Sequence, residues 1–168
     1  MPAAATFTTI RQSLLGGPVA RVLVVDDNQD TCELLARILR RAGHDAACQT
    51  SPAGALDHIR RDVPDLVILD VMMPGMTGLE VLRALRAEKG LAALPVVLFT
   101  ALSDEKTRAE ARRLGASGYV VKGTGWTELH AEIQKHIGAP SSGGTGSAGA
   151  SPPGEAARRE SDAGGGSP

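Results

Sequence analysis

Short apolar runs alternate with longer stretches of helical periodicity from residue 21 to residue 137. The runs are rich in Val, Leu and Ile, which is typical of β-strands. The first run is continuously apolar, as expected of a central strand covered on both faces, whereas the second is weaker and predicts an edge strand. The five predicted strands are Arg21–Val25, Asp45–Gln49, Leu66–Leu69, Val96–Phe99 and Gly118–Val121.

The stretches between and after these runs place apolar residues three or four positions apart, which indicates amphipathic helices. Capping residues mark where several of them begin, and Gly43 ends the first. The first predicted helix covers residues 28–42, the second begins at Ser51-Pro52, and the third begins at a Thr77–Glu80 capping box. The fourth runs from Ser103 to about Leu114, and the fifth carries Trp126, Leu129, Ile133 and Ile137 on one face.

One helix between each pair of successive strands is the pattern of a parallel sheet with right-handed crossovers. The sequence therefore predicts an α/β fold, a five-stranded doubly wound parallel sheet with five helices, over residues 21–138. Residues 1–20 end in Gly16-Gly17-Pro18 and are expected to be a loosely ordered arm. Of residues 139–168, 18 of 30 are Gly, Ser or Pro, which predicts a disordered tail or, alternatively, a flexible tether.

Composition narrows the possible partners. Aromatic residues make up only 2% of the chain, so the core must be aliphatic. Lys and Arg (18) nearly balance Asp and Glu (19), which argues against general attraction to nucleic acid or anionic membrane. No apolar run is long enough to span a bilayer, and the first twenty residues do not look like a secretory signal. A reducing cytoplasm is expected, and Cys32 and Cys48 are predicted to be two buried small apolar side chains.

Polar residues follow the predicted strands where each one ends. Asp26 and Asp27 follow the first strand, Asp70 the third, Thr100 the fourth and Lys122 the fifth. Each residue alone would be an ordinary turn or cap residue. In a doubly wound sheet, however, the carboxyl ends of the strands form the ligand-binding edge, so the five are expected to converge.

Three neighbouring carboxylates repel one another and favour a bound cation. An all-oxygen donor set indicates Mg²⁺, placed between Asp26, Asp27 and Asp70. One aspartate is then a possible nucleophile towards a phosphoryl donor, since carboxylates form aspartyl-phosphate intermediates. Lys122 and the Thr100 hydroxyl would stabilise the negative charge that develops on the phosphoryl oxygens.

Four motifs stand out along the chain: Val24–Asn28, Leu69–Glu80, Phe99–Ala101 and Gly115–Lys122. With these motifs the sequence resembles the receiver domain of two-component response regulators, and the resemblance covers residues 21 to about 137. The chain is similar in plan to the single-domain chemotaxis regulator. The resemblance implies a flavodoxin-like strand order of 2-1-3-4-5.

The resemblance also implies a role for each matching residue. Asp70 is the phosphoacceptor, and Asp26 and Asp27 are the acidic pair that binds Mg²⁺ directly or through water. The metal would also bind the backbone carbonyl oxygen of Met72, and Thr100 and Lys122 would contact the phosphoryl group. The small side chain of Ala101 would leave the acceptor accessible. Thr100 and Tyr119 would form a switch pair, with plain strand packing as the alternative for Tyr119.

The chain departs from the family at one position. Gly123 follows Lys122, where receivers usually have a proline that supports a cis peptide bond. A cis bond before a residue other than proline costs roughly 2.5–4 kcal/mol. Two arrangements are therefore possible for Lys122. Either the surrounding loop enforces a cis Lys122–Gly123 bond, or the bond is trans and Lys122 approaches the site along a different path.

The sequence thus predicts a cytoplasmic, stand-alone response regulator that catalyses only its own phosphoryl transfer and hydrolysis. A histidine kinase or histidine phosphotransfer protein would phosphorylate Asp70, and an unknown protein target would be engaged through the fourth helix, fifth strand and fifth helix. Neither nucleic acid nor membrane is expected as a partner. The chain would be a monomer or a phosphorylation-dependent dimer.

Other functions fit less well. The main alternative keeps the fold but makes it a phosphorylation-independent interaction or scaffold module. A haloacid-dehalogenase-like phosphatase would need a second aspartate where Met72 stands. A flavodoxin-like FMN carrier would need a phosphate-binding loop where residues 26–30 carry three aspartates. A DNA-binding role has no helix-turn-helix to support it.

Overall fold

The computed structural model describes residues 19–137. The predicted tail at 139–168 lies outside these residues, and so does the predicted arm at 1–20 except for its last two positions. No helix within the described part has the length and apolarity to cross a bilayer. The elements in chain order are β1 (Arg21–Val25), α1 (Gln29–Arg41), β2 (Asp45–Gln49), α2 (Pro52–Arg61), β3 (Leu66–Leu69), α3 (Gly78–Ala87), β4 (Val96–Thr100), α4 (Glu105–Arg113), β5 (Gly118–Val121) and α5 (Trp126–Ile137).

The strands form one parallel sheet in the order β2-β1-β3-β4-β5. This confirms the predicted doubly wound fold, and β2 is an edge strand as expected. Strand order reverses between β1 and β3, so the switch point of the sheet lies where these two strands end. Their register aligns Val25 with Leu69, which brings the residues that follow them to the same edge.

Local sequence explains where the helices begin. The side chains of Asn28, Ser51 and Asp104 each accept a hydrogen bond from the backbone N–H three residues later. Thr77 and Glu80 form the predicted reciprocal capping box. The ends of some elements differ slightly from the prediction. Helix α1 begins one residue after its cap Asn28, and α4 begins one residue after its cap Asp104. Strand β4 continues to Thr100, which pairs with Val121 of β5.

Two aliphatic layers cover the sheet. On one face, α2, α3 and α4 pack over Leu23, Val67 and Leu98. On the other, α1 and α5 pack over Val22 and Ile68. The aromatic side chains within residues 19–137, Phe99, Tyr119 and Trp126, are only partly buried at the margins of these layers, so the core is aliphatic. The central strands are held rigidly from both sides, and their carboxyl ends are therefore fixed relative to one another.

The prediction of two separate buried cysteines is wrong, because Cys32 and Cys48 are joined by a disulfide bond. Cys48 pairs with Val24 in the sheet, and α1 lays Cys32 over the same residue, with its Sγ 3.4 Å from the Val24 carbonyl oxygen. The two Cα atoms are 5.7 Å apart, within the range of roughly 4.4–6.8 Å that disulfides require. The bond ties the first turn of α1 to the edge strand.

We expect reduction of this disulfide to lower the free energy of unfolding by about 3 kcal/mol, because the bond joins two residues that are 16 positions apart in the sequence and so restricts the unfolded chain. Urea unfolding of protein purified without reductant, with and without added dithiothreitol, measures the difference. The variant Cys48→Ser should unfold identically in both buffers. Equal stability of the parent protein in both buffers, or alkylation of both thiols before reduction, would contradict the disulfide.

Candidate functional site

The sheet itself positions the residues that follow its strands. The backbone N–H of Asp26 donates to Gln49 O (3.1 Å), that of Asp70 to Val25 O (2.9 Å) and that of Lys122 to Thr100 O (2.8 Å). Each bond continues the hydrogen-bonding ladder one step beyond the end of a strand. The backbones of these three residues are therefore as well fixed as the strands themselves.

The three predicted acidic residues converge at this edge. Carboxylate oxygens of Asp26, Asp27 and Asp70 lie within 4.8 Å of one another. Asp26 and Asp70 are buried, at 2% and 4% exposure, whereas Asp27 is exposed. Two charges held this far from water need compensation, because an unpaired buried charge is costly.

Lys122 supplies that compensation. Its Nζ lies 2.7 Å from Oδ2 of Asp26 and 2.7 Å from Oδ2 of Asp70. The ammonium group also lies 5.9 Å from the centre of the Phe99 ring, within cation–π range. Burial by itself would lower the pKa of Lys122, but its hydrogen bonds to Asp26 and Asp70, together with their charges, raise it. The lysine is therefore a stable cation between two carboxylates.

The two buried aspartates are oriented in the same way. Oδ1 of Asp26 accepts a hydrogen bond from the backbone N–H of Asn28 (2.9 Å), and Oδ1 of Asp70 accepts one from that of Met72 (3.2 Å). Both are aspartate turns that tie a side chain to the backbone two residues on. Each carboxylate thus uses one oxygen to hold its own turn and presents the other to Lys122.

The predicted switch residues meet at Leu102. Thr100 is fully buried, and its Oγ1 accepts a hydrogen bond from the backbone N–H of Leu102 (3.3 Å). The hydroxyl of Tyr119 donates to the carbonyl oxygen of the same residue (2.8 Å), and the Arg108 guanidinium lies 5.0 Å from the Tyr119 ring centre. Burial and the charge of nearby Asp104 raise the pKa of Tyr119.

The predicted positions of Ala101 and Met72 are also defined. Ala101, directly after β4, is exposed beside this edge of the sheet. Met72 is 57% exposed, and its backbone contact with the site is the N–H that donates to Asp70 Oδ1. The Lys122–Gly123 bond is trans, since no peptide bond within residues 19–137 is cis. The lysine nevertheless reaches both carboxylates, which resolves the question that Gly123 raised.

Sequence reasoning missed the structural role of Gly78, which it placed in a capping box and in the Leu69–Glu80 motif without a function of its own. A Cβ atom built on Gly78 would clash with the carbonyl oxygen of Asp70, and the Gly78 N–H donates to Val71 O at 2.9 Å. The loop after β3 therefore closes tightly behind Asp70 only because this residue has no side chain. Leu102 was also missed as the link between Thr100 and Tyr119.

The acidic cluster suits a small, hard divalent cation. Its donors are all carboxylate oxygens, two of them on buried side chains, and oxygen is the ligand that Mg²⁺ prefers in proteins. Asp26, Asp27 and Asp70 are the residues that could hold such an ion. Part of their charge is already balanced by Lys122, which contacts two of the three.

Comparison with known proteins matches most of the described part of the chain to one family. Residues 22–134 match the family model described as response regulator receiver domain. The chain is 39% identical over 117 residues to the DNA-binding response regulator MtrA of Mycolicibacterium smegmatis, an alignment covering 70% of this chain and 50% of MtrA. It is 37% identical over 116 residues to the transcriptional regulatory protein ZraR of Escherichia coli, covering 69% of this chain and 26% of ZraR. The chain thus spans half or less of these relatives.

Solved structures show the same fold. The chemotaxis protein CheY4 of Vibrio cholerae superposes with a TM-score of 0.67 at 28% identity, covering 71% of this chain and 99% of that one. The BeF3-activated receiver domain of Klebsiella pneumoniae RstA gives 0.64 at 31% identity, covering 70% and 97%. Both therefore align over nearly their whole length with the strand–helix units described above.

We expect Lys122→Met to bind Mg²⁺ at least about fivefold more tightly, because the lysine and a divalent cation draw on the same carboxylates and repel each other by at least about 1 kcal/mol. Isothermal titration calorimetry at neutral pH measures the affinity. Lys135→Met is the control, since it also removes an ammonium group paired with one carboxylate, that of Glu132 in α5. Unchanged or weaker Mg²⁺ binding by Lys122→Met would show that the lysine does not compete for these oxygens.

Proposed function

Because this chain belongs to the response regulator receiver domain family, we propose that it accepts a phosphoryl group on Asp70 and signals through contact with another protein. The observation that carries the proposal is the shared cation: Lys122 Nζ lies 2.7 Å from Asp70 in the same cluster as Asp26. Receiver domains of response regulators are phosphorylated by histidine kinases, so we propose a histidine kinase or histidine phosphotransfer protein as the donor.

Asp70 is the proposed nucleophile. An oxygen of its carboxylate attacks the phosphorus of a phosphohistidine, a P–O bond forms, the P–N bond breaks, and the imidazole leaves as its nitrogen takes up a proton. The N–H of Met72 holds one oxygen of Asp70 in place during this step. Lys122, already within hydrogen-bonding distance, would balance the negative charge on the transferred group, and the Thr100 hydroxyl would donate to one of its oxygens.

Mg²⁺ is the proposed cofactor. Asp26, Asp27, Asp70 and the backbone carbonyl of Met72 would hold it, and when bound it supplies neutralisation of phosphoryl charge. The fit rests on the oxygen-only cluster and on the burial of Asp26 and Asp70, two charges that need a cationic partner. Ala101 is proposed to leave the acceptor accessible, because a larger side chain at this exposed position would narrow the approach.

Thr100 and Tyr119 are the proposed switch. Thr100 Oγ1 now accepts from Leu102 N–H, and a hydroxyl that turned to a phosphoryl oxygen would release that bond. Tyr119 holds the carbonyl of the same residue, so both ends of the Leu102 backbone would be affected. We propose that this changes the surface formed by α4, β5 and α5, where a protein target would bind.

The relative MtrA is described as a DNA-binding response regulator, and it is about twice as long as the segment that aligns with this chain. We do not propose it here, because the 18 basic and 19 acidic residues of this chain give no general attraction to a polyanion. A stand-alone regulator and a cytoplasmic location remain predictions of the sequence. The expected oligomeric state, a monomer or a phosphorylation-dependent dimer, is also a prediction of the sequence.

We expect incubation with acetyl phosphate and Mg²⁺ to add one phosphoryl group, which intact-mass spectrometry detects and hydroxylamine removes. Asp70→Asn should not be labelled, because an amide is not a nucleophile comparable to a carboxylate. Asp65→Asn is the matched control, since Asp65 precedes the same strand at its opposite end and pairs with Arg21. This variant should be labelled at the parent rate.

Equal labelling of Asp70→Asn and the parent protein would overturn the assignment of the acceptor. No labelling of the folded parent protein by acetyl phosphate or by a phosphohistidine donor would instead favour the phosphorylation-independent interaction module. In that case Mg²⁺ binding without a change in the spectrum of backbone amides at α4 and β5 would support the module.

A further inference from the structure

The lysine of the site is held by an unusual arrangement on its carboxyl side. Four residues, Lys122 to Gly125, connect β5 to α5. The backbone N–H of Thr124 donates to Val121 O (3.3 Å), and the Thr124 hydroxyl donates to the same oxygen (2.9 Å). Val121 to Thr124 is therefore a β-turn in which Lys122 is the second residue and Gly123 the third.

The backbone angles identify the turn as type II. Gly123 has φ of 102°, and no residue other than glycine within residues 19–137 has a positive φ. Positive φ at the third position with a negative φ at the second defines type II, and this turn strongly favours glycine at its third position. A proline here, with φ near −65°, belongs to a different turn with a cis bond.

Lys122 is thus clamped from both sides. On its amino side, the N–H bond to Thr100 O continues the sheet ladder (2.8 Å). On its carboxyl side, the type II turn sets the direction of the chain through Gly123. Between these two backbone constraints, the side chain places Nζ 2.7 Å from a carboxylate oxygen of Asp26 and 2.7 Å from one of Asp70.

We infer that Gly123 is a positioning residue for phosphoryl transfer: its positive φ permits the type II turn that delivers Lys122 to Asp26 and Asp70 through a trans peptide bond. The inference rests on the proposed role of Lys122 at Asp70. It gives this chain its own means of placing the lysine, and the means is backbone conformation, since a Cβ on Gly123 would meet no atom within 4 Å.

The chain contains a matched control two residues away. Gly125 also has positive φ, 96°, and a Cβ on it would likewise meet nothing within 4 Å. Valine, being β-branched, is poorly compatible with positive φ at either position. The two substitutions should therefore strain the same loop to a similar degree, but only the one at 123 acts directly on the turn that carries Lys122.

The experiment compares initial rates of phosphoryl uptake from acetyl phosphate at saturating Mg²⁺, at a temperature where every variant is folded. Gly123→Val is expected to slow uptake about tenfold, because a displacement of about 1 Å in a positioning contact can cost more than this. Gly123→Asn should recover most of the rate, since asparagine tolerates positive φ. Gly125→Val should stay within about twofold of the parent rate, with a comparable fall in unfolding midpoint.

A double-mutant cycle separates positioning from general damage. If Gly123 acts through the lysine, Gly123→Val should cause no further loss in a Lys122→Met background. An equal fold-loss in both backgrounds would overturn the inference, as would a parent-like rate for Gly123→Val.

Failure of the proposed function has a different signature, in which the parent protein takes up no phosphoryl group at all. The placement of Lys122 by the turn at Gly123 is then tested separately, by Mg²⁺ titration calorimetry without any phosphoryl donor. Gly123→Val should move the affinity towards that of Lys122→Met, and Gly125→Val should not. Parent-like Mg²⁺ affinity for Gly123→Val, where Lys122→Met differs from the parent, would overturn the inference on its own.

Discussion

Two buried carboxylates that share one ammonium group are the interaction on which the rest of this structure depends. Asp26 and Asp70 emerge from adjacent strands at almost zero exposure, and each would be costly without a counter-charge. Lys122 comes from the far edge strand, so the pair is stabilised only when β1, β3 and β5 are all in register. Because β5 joins the sheet through β4, the charge balance of the site is coupled to correct assembly of β1, β3, β4 and β5.

The remaining elements hold these groups in place without contributing charge themselves. Aliphatic layers on both faces fix the strands, the backbone ladder extends one residue past three of them, and Gly78 lets the loop after β3 close against Asp70. Aliphatic swaps that conserve volume in the core usually cost less than about 1.5 kcal/mol, whereas a shift of an ångström at the strand ends would break the 2.7 Å contacts. The tolerance of the core and the precision of the edge are thus separate properties of one sheet.

The sequence predicted most of the fold because its strands are buried apolar runs that stop at polar residues. Four strand ranges agree with the structure residue for residue, and β4 is longer by Thr100, whose polarity conceals its pairing with Val121. The convergence of Asp26, Asp70 and Lys122 followed from topology. The disulfide did not, because it depends on how α1 lies over the register of β1 and β2. The turn at Gly123 depends on a backbone angle that residue type permits but does not determine.

The proposed switch also has a physical basis in the uneven anchoring of the helices. Among the helices, α4 buries a single residue, Ala111, whereas α3 buries four, and few apolar contacts mean a low cost of local displacement. The segment leading into α4 begins at Thr100 and passes through Leu102, which Thr100 and Tyr119 both hold. A change at the Thr100 hydroxyl would therefore act on the least anchored helix of the domain, while the better packed helices keep Asp70 and its lysine in place.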